Sequence, residues 1–299
     1  MEGPVTVLRP DLVLVDWGPM TLTLSVWDGG RPRPVLAVQA AREALASLAV
    51  LADFQGYLKR PAHLLDPDRP LPPVVRRALD GARVAPAELT PLAAVAGAVA
   101  DQVADLAAAL GADKVIVNNG GDVALRLTGT RRAVVGLRPP AAPGRPPLPL
   151  AGKLRLTAAH GVGGVATSGA GGRSLSPGVA DMVTVWAATA AAADGAATYI
   201  AGRTTVASPA VETAPARELQ ADSDLGERLV TRHVGKLTRE ERLAALAAGQ
   251  AAAQDLFTAG HIRGCFLLVQ GEVAILDFGS EKWECGGKPP SPKKLHSIK

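Results

Sequence analysis

The chain has 299 residues, which is long for one compact domain and short for two large ones. Apolar residues make up 47% and aromatic residues 3% of the chain, so Ala, Val and Leu must build most of the core. The formal charge of +4 is local, because the last twelve residues contain four lysines. We find no basic helix face with interleaved aromatic residues, and we therefore expect no nucleic-acid partner.

The cysteines and the apolar stretches bear on the location of the protein. Cys265 and Cys285 are too few for a disulfide scaffold or a cysteine-ligated zinc site. The N-terminal residues lack the pattern of a secretory signal. The longest charge-free apolar stretches, residues 89–100 and 182–193, are shorter than the roughly 20 residues that cross a bilayer. We expect a cytoplasmic protein with no membrane partner.

Hydrophobic periodicity and turn residues predict the elements of the first 110 residues. A helix is expected to end at Gly81, and Thr90 followed by Pro91 is typical of a helix start. Asp101 is expected to mark the return of one helix face to water. The predicted strands cover residues 11–15 and 20–27, and the predicted helices cover residues 39–59, 73–80 and 92–110.

The remaining chain alternates strands with two long helices, and a capping-box pattern begins at Thr238. A glycine-dense loop covers residues 161–172, and residues 212–235 are polar. The predicted strands cover residues 115–117, 123–127, 133–137, 153–157, 179–186, 262–269 and 273–277, and the predicted helices cover residues 187–201 and 238–260.

These runs of strands broken by long helices predict an α+β fold rather than a doubly wound parallel sheet. Residues 20–60 and 180–200 are candidates for two similar strand–helix halves. We predict one domain over residues 1–285 and a disordered tail rich in Pro and Lys over residues 286–299. The small-residue helix over residues 92–100 suits a core or an interface between copies, which leaves a homo-oligomer open.

The first candidate site is the turn Asn118-Asn119-Gly120-Gly121-Asp122 between two predicted strands. Adjacent glycines permit positive φ and can expose backbone N–H groups to an anion or a ring carbonyl. The Asp122 carboxylate can accept a hydrogen bond from a ligand. The alternative interpretation is a plain hairpin turn, since Asn-Gly turns are common.

The second candidate lies in the glycine-dense region, where Thr167-Ser168-Gly169 is followed by Arg173, Ser174 and Ser176. Glycine amides, hydroxyl groups and a guanidinium within a short stretch suit a diphosphate. A surface loop is the alternative interpretation.

The third candidate involves carboxylates beside an apolar run. Asp194 and Thr198 are four residues apart on a predicted helix, so their oxygens share a face and suit Mg²⁺ together with ligand phosphates. The alternative is a solvated Asp194 and a Thr198 that bonds within its helix. Asp181 precedes the same run and is a candidate acid or base.

Taken in order, these segments resemble the ApbE-like superfamily, which is known for FAD:protein FMN transferases. The matching segments are Asn119-Gly120-Gly121-Asp122, residues 165–169 and residues 193–198, and the match covers about residues 10–280. A shorter branch of that superfamily is closest, on the basis of residues 18–20, 91–98 and 172–181.

The resemblance implies a T-fold-like ApbE-type architecture in which two halves form one cleft. It implies FAD or FMN as the ligand and Mg²⁺ on Asp194 and Thr198. The residues expected to bind the flavin are Asn119, Gly120, Gly121, Asp122, Thr167, Ser168, Gly169, Ser174 and Ser176.

One departure separates the chain from the transferases, which carry His-x-x-Asp-Pro where this chain has Arg173, Ser176 and Pro177. Strict FMN transfer is therefore not expected. We expect an enzyme that binds a flavin nucleotide or a related small anionic molecule, in which Asp122 orients the ligand and Arg173 holds an anion. One alternative is a hydrolase or lyase that acts on a small carboxylated or amide metabolite without flavin, with Asp122 or Asp181 as acid or base. The other is a non-enzymatic protein that binds a flavin or another metabolite.

Overall fold

The computed structural model describes residues 3–86, 89–139, 148–172, 174–277 and 283–285. Arg173 and the predicted tail over residues 286–299 lie outside these ranges. The strands are β1 (Val5–Arg9), β2 (Leu12–Trp17), β3 (Met20–Asp28), β4 (Arg31–Pro32), β5 (Lys114–Asn119), β6 (Asp122–Leu127), β7 (Arg132–Leu137), β8 (Gly152–Thr157), β9 (Gly164–Ser168), β10 (Met182–Ala187), β11 (Val211–Pro215), β12 (Leu229–Val234), β13 (Gly264–Val269), β14 (Glu272–Asp277) and β15 (Trp283–Cys285). The α-helices are α1 (Pro34–Asp53), α2 (Gln55–Leu58), α3 (Pro73–Ala82), α4 (Val95–Ala109), α5 (Ala190–Arg203), α6 (Ala216–Leu219) and α7 (Arg239–Thr258).

A ten-stranded antiparallel sheet organises the molecule, in the order β1-β2-β3-β5-β6-β9-β10-β13-β14 with β4 beside β3. It contains two similar halves. In each half a hairpin (β2-β3 or β9-β10) is followed by two long helices (α1 and α4, or α5 and α7) and by a second hairpin (β5-β6 or β13-β14). The halves join where β6 pairs with β9, Val123 opposite Val165. The predicted α+β fold with two strand–helix halves is confirmed.

The sheet carries a different layer on each face. The long helices pack through small residues such as Ala40 and Ala104 against sheet residues such as Leu24. A three-stranded sheet, β15-β8-β7, accompanies a separate apolar cluster in which Leu154 packs with Trp186. Because aromatic residues are scarce, the core is filled by Ala-lined helices that approach the sheet closely.

Helix α3 continues through Gly81, where the sequence predicted an end. A Cβ atom at Gly81 would lie 2.5 Å from the carbonyl oxygen of Ala191, at the start of α5. The glycine therefore permits close helix packing rather than helix termination. Thr90 is likewise not a side-chain cap: a 3-10 turn over Pro91–Ala94 precedes α4, and the Thr90 hydroxyl donates to Asp224.

The interpretation of Asp101 as a solvent-facing residue is wrong. Its exposed fraction is 0%, and its carboxylate lies against the Arg126 guanidinium and the Ala191 N–H. Two regions also contain more structure than expected. Strand β9 lies within the predicted glycine loop, and β11 pairs with β12 within the polar stretch.

Two helical runs, Pro34–Asp53 and Pro91–Ala109, are long and apolar enough to cross a membrane by length and composition alone. The first run was not predicted from the sequence, because Arg42 and Glu43 interrupt it and the prediction rested on charge-free runs. Core helices pass the same test, and both runs contribute alanines to the apolar core beneath the sheet. The absence of a membrane partner stays a prediction.

Candidate functional site

The turn between β5 and β6 is both a hairpin turn and part of a cavity wall. Asn119 and Asp122 are opposite each other in the strand pairing, and Gly120 and Gly121 between them have φ values of +67° and +117°. Both glycines adopt backbone conformations that other residues rarely take. The Asn119 side chain is buried and donates to the Ala96 carbonyl, 3.1 Å away, which ties the turn to α4.

The expected exposure of the glycine amides is not observed. The Gly121 N–H donates to Asn118 Oδ1 at 2.9 Å, and the Gly120 N–H donates to the Thr21 carbonyl at 3.2 Å. Both donors are therefore used within the protein. The turn places Asp122 at the start of β6. An anion at this turn could not bind to the two glycine N–H groups and would need another donor.

The second motif lies on β9 and its exit. The Thr167 and Thr184 hydroxyls are 2.8 Å apart on adjacent strands, and Ser168 is only 9% exposed. The Ser168 hydroxyl has no hydrogen-bond partner among the described residues. Gly169 follows at φ +154°, where a Cβ atom would lie 2.6 Å from the Asp181 carbonyl oxygen. This close approach explains why the strand ends at a glycine.

These two motifs meet on one cavity of about 910 Å³. Its walls come from the β5–β6 turn, from β9 and the loop after it, from the first turns of α4, and from β7 of the smaller sheet. Seven residues that the sequence analysis placed at a ligand site line it: Asn119, Gly120, Gly121, Asp122, Thr167, Ser168 and Ser174.

Asp194, the predicted metal ligand, lies in the second turn of α5. Its carboxylate Oδ2 accepts a hydrogen bond from the Gly97 N–H in the first turn of α4, at 3.0 Å. Burial holds the pKa of Asp194 well above its usual range, and the nearby Asp122 carboxylate raises that pKa further. Asp194 is therefore an electrostatic neighbour of the cavity-lining Asp122.

The oxygen atoms around Asp194 are few, so a cation here would have to keep some of its own water. Thr198 is half-buried one turn further along α5, and a divalent ion here would relieve the repulsion between the Asp194 and Asp122 carboxylates. Within the described ranges no group of three or more His, Cys, Asp or Glu side chains could hold a metal ion. Any metal bound here would take further ligands from water or from a bound molecule.

A charged network supports the helix starts beside the cavity. Asp101 accepts from Arg126 Nη2 at 2.9 Å and from the Ala191 N–H at 2.9 Å, and Arg126 also donates to Asp105 at 2.6 Å. Because Arg126 lies on β6, the network links the sheet to both α4 and α5. No sequence pattern predicted this network, because Asp101 is 25 positions from Arg126 and 90 positions from Ala191.

Five predicted site residues are not part of the cavity wall: Asp194 and Thr198 of α5, and also Asp181, Ser176 and Gly169. Asp181 lies at the start of β10, where its carboxylate accepts from the Gln270 N–H; burial raises its pKa. Ser176 is buried, and its hydroxyl accepts from the Gly178 N–H at 3.1 Å. Gly169 does not line the cavity but supports the strand end beside it. Arg173 lies outside the described residues, and the catalytic roles assigned to Asp122, Arg173 and Asp181 stay predictions.

Arg138 is a cavity residue that the sequence analysis did not identify. It follows β7 directly and lines the cavity together with the preceding residues of that strand. The available signal was a charged residue at the end of a correctly predicted strand, a placement typical of site residues but not specific to them. Only the packing of β7 across the β5–β6 turn reveals its position.

The fold and the cavity define an α+β protein of two similar halves with one large cavity beside the β5–β6 turn. A family model described as AbpE bacteria matches residues 7–275, and the chain belongs to that family. The predicted membership of the ApbE-like superfamily is thereby confirmed.

The matches to individual relatives cover less of the chain than the family model does. A UPF0280 protein of Methanopyrus kandleri is 43% identical over 141 residues, which cover 47% of this chain and 53% of that protein. A UPF0280 protein of Methanocaldococcus jannaschii is 37% identical over 125 residues, 38% of this chain and 44% of the relative. The matches thus span about half the length of these relatives.

Two similar solved structures are flavin transferases named ApbE. The structure from Vibrio cholerae is 14% identical, with a TM-score of 0.41 over 89% of this chain and 96% of that chain. The apo form from Pseudomonas stutzeri is 16% identical, with a TM-score of 0.38 over 60% of this chain and 79% of that chain.

Proposed function

We propose that the protein binds a flavin nucleotide, or a related small anionic molecule, in the cavity between the β5–β6 turn and β7. One observation carries the proposal: Asn119–Asp122 and Thr167–Ser168, which are far apart in the sequence, line the same cavity next to Asp194. The volume of about 910 Å³ lies in the range of ligand pockets. Membership of the AbpE bacteria family, and the resemblance of these motifs to the FAD:protein FMN transferases, support the choice of a flavin.

Within this proposal, Asp122 orients the ligand from the cavity wall. Asp194 would hold Mg²⁺ through the carboxylate oxygen that Gly97 does not occupy, with Thr198 one turn away. The ion would supply charge neutralisation for a diphosphate. Asp194 has an independent reason to favour a cation, because burial and Asp122 disfavour its bare negative charge.

Transfer of FMN to a protein acceptor is not part of the proposal, because Arg173 and Ser176 occupy the positions where the transferases carry His and Asp. A hydrolase or lyase that uses Asp181 as acid or base has less support. The Asp181 side chain accepts from Gln270 and does not line the cavity.

The test is a fluorescence titration of FMN and FAD against the purified protein with Mg²⁺ or with EDTA. Asp194→Asn keeps an oxygen that can accept from Gly97 but removes the charge, and Asp255→Asn on the exposed face of α7 is the matched control. We expect Mg²⁺ to strengthen FAD binding to the wild type and to the control but not to Asp194→Asn.

The absence of flavin binding at high micromolar FAD, together with a melting temperature that Mg²⁺ does not change, would overturn the proposal. Covalent FMN on a co-expressed acceptor protein, detected by intact mass, would show that transfer occurs despite the altered motif.

A further inference from the structure

We propose that Arg138 binds the anionic group of the cavity's ligand, which therefore carries a phosphate or a carboxylate. This rests on the proposed function of the cavity as a ligand site. It assigns to Arg138 the role that the sequence analysis gave to Arg173.

The backbone at Arg138 is held in place by the smaller sheet. Leu137 is paired with Gly152 at the end of β7, and the Ala151 N–H donates to the Leu137 carbonyl at 2.8 Å. The residue before Arg138 is therefore part of a regular two-stranded ladder. A side chain that begins on such a fixed element has less freedom to lose when it binds a ligand.

Arg138 differs in charge from the other described residues that line the cavity. Of the described residues that line the cavity, it is the only cation, and Asp122 is the only carboxylate. Arg138 forms no ion pair with a described residue, whereas Arg126 and Arg131 have aspartate partners within hydrogen-bond distance. A guanidinium without such a partner, next to a largely apolar wall, is suited to pairing with a planar or tetrahedral oxyanion.

The two charges lie on different walls. Asp122 belongs to the ten-stranded sheet and Arg138 follows a strand of the smaller sheet, while Val95 and Val99 of α4 contribute apolar surface. A complementary ligand has an anionic end for Arg138, an apolar body, and a hydrogen-bond donor or a bound cation for Asp122. Because the Gly120 and Gly121 N–H groups are used internally, the anion cannot bind to these two backbone donors.

The test compares FMN with riboflavin, which has the same ring and side chain but no phosphate. We would measure both dissociation constants for the wild type, Arg138→Ala, Arg138→Lys and Arg132→Ala. Arg132 is exposed on the same strand and lines a separate small cleft, so it controls for loss of a positive charge from β7.

We expect Arg138→Ala to weaken FMN binding by about tenfold to a hundredfold, the range of a charge-assisted hydrogen bond, with riboflavin binding unchanged. Arg138→Lys should recover part of the loss, and added salt should shrink the difference. Arg132→Ala should resemble the wild type. Equal losses for FMN and riboflavin, or no loss for FMN, would overturn the assignment of Arg138 while leaving flavin binding intact.

If the wild type binds neither flavin, the proposed function fails, and inorganic pyrophosphate and succinate then decide the role of Arg138. Thermal protection of the wild type by either anion, lost in Arg138→Ala and kept in Arg132→Ala, would support an anion site without flavin. No protection by either anion would overturn the proposal for Arg138 as well.

Discussion

Asp101 and Asp194 cap each other's helices. Asp101 lies on α4 and accepts from the Ala191 N–H in the first turn of α5, at 2.9 Å. Asp194 lies on α5 and accepts from the Gly97 N–H in the first turn of α4, at 3.0 Å. Each carboxylate thus meets the positive end of the other helix, and the exchange fixes α4 and α5 beside the cavity.

Removal of the Asp101 carboxylate should be costly. Asp101→Ala leaves the Ala191 N–H without an acceptor and takes one of two aspartates from Arg126, so we expect a loss of about 3 kcal/mol in the free energy of unfolding. Asp105→Ala should cost about 1 kcal/mol, because Asp105 is partly exposed and Asp101 still holds Arg126. Urea denaturation of both variants measures the difference, and equal losses would contradict the assigned roles.

Asp194 should make the stability of the metal-free protein depend on pH. Its folded-state pKa is raised by burial and by Asp122, so the folded state holds a proton that the unfolded state releases above about pH 4. This contribution is fully present below the unfolded-state pKa and is lost as pH rises through the folded-state pKa.

We therefore expect wild type in EDTA to lose stability relative to Asp194→Asn as pH rises from about 4 to 8. Asp122→Asn should reduce the same slope, since it removes a negative neighbour. Denaturant melts across the pH series provide the measurement. A stability difference between wild type and Asp194→Asn that does not change with pH would show that Asp194 titrates normally.

Gly97 should not tolerate a side chain. A Cβ atom there would lie 2.4 Å from the carbonyl oxygen of Ala190, so Gly97→Ala must push α4 and α5 apart at a cost of about 1–3 kcal/mol. Gly202→Ala, near the end of α5, meets only Pro177 at 3.6 Å and should be neutral or stabilising by up to about 0.5 kcal/mol. Thermal unfolding of both variants tests this contrast, and a neutral Gly97→Ala would show that the helices can separate freely.

Two serines of the predicted ligand site should respond in opposite ways. Ser168→Ala removes a buried hydroxyl without a described partner, so the free energy of unfolding should stay unchanged or rise by up to about 1 kcal/mol. Ser176→Ala removes the acceptor of the Gly178 N–H and should cost about 1 kcal/mol. Chemical denaturation measures both, and a clear loss in Ser168→Ala would mean that its hydroxyl has a bonding partner in solution.

Local signals predicted local features well. Thr238 and Glu241 form the expected capping box, with the Glu241 N–H donating to the Thr238 hydroxyl and the Thr238 N–H donating to Glu241. The hairpin β13–β14 turns between the two predicted strands, where Gln270 and Gly271 both have positive φ. Such features depend on residues a few positions apart, which is why periodicity and turn chemistry suffice.

Features that depend on distant neighbours were misread. Gly81 resembled a helix end because glycine is common at that position. The actual reason for the glycine, the close approach of the Ala191 carbonyl, comes from another helix and is not visible in the local sequence. Asp101 resembled a solvent-facing residue because a charged side chain on a helix usually faces water. Its partners, Arg126 and Ala191, are 25 and 90 positions away and could not be recognised from the local sequence. In both cases the local sequence pattern predicted one structure, and contacts with distant parts of the chain produced another.

The Asn119–Asp122 turn has one feature that the local sequence specifies and others that depend on distant parts of the chain. The sequence by itself determined the hairpin, since strand alternation and two adjacent glycines specify a tight turn, and it indicated the family through motifs in a fixed order. Only the tertiary structure decided that Arg138 lines the same cavity as Asp122 and Thr167 and that the glycine amides are already used. The physical reason is that a cavity and its electrostatics arise from the packing of separate elements, and no local stretch of sequence encodes that geometry.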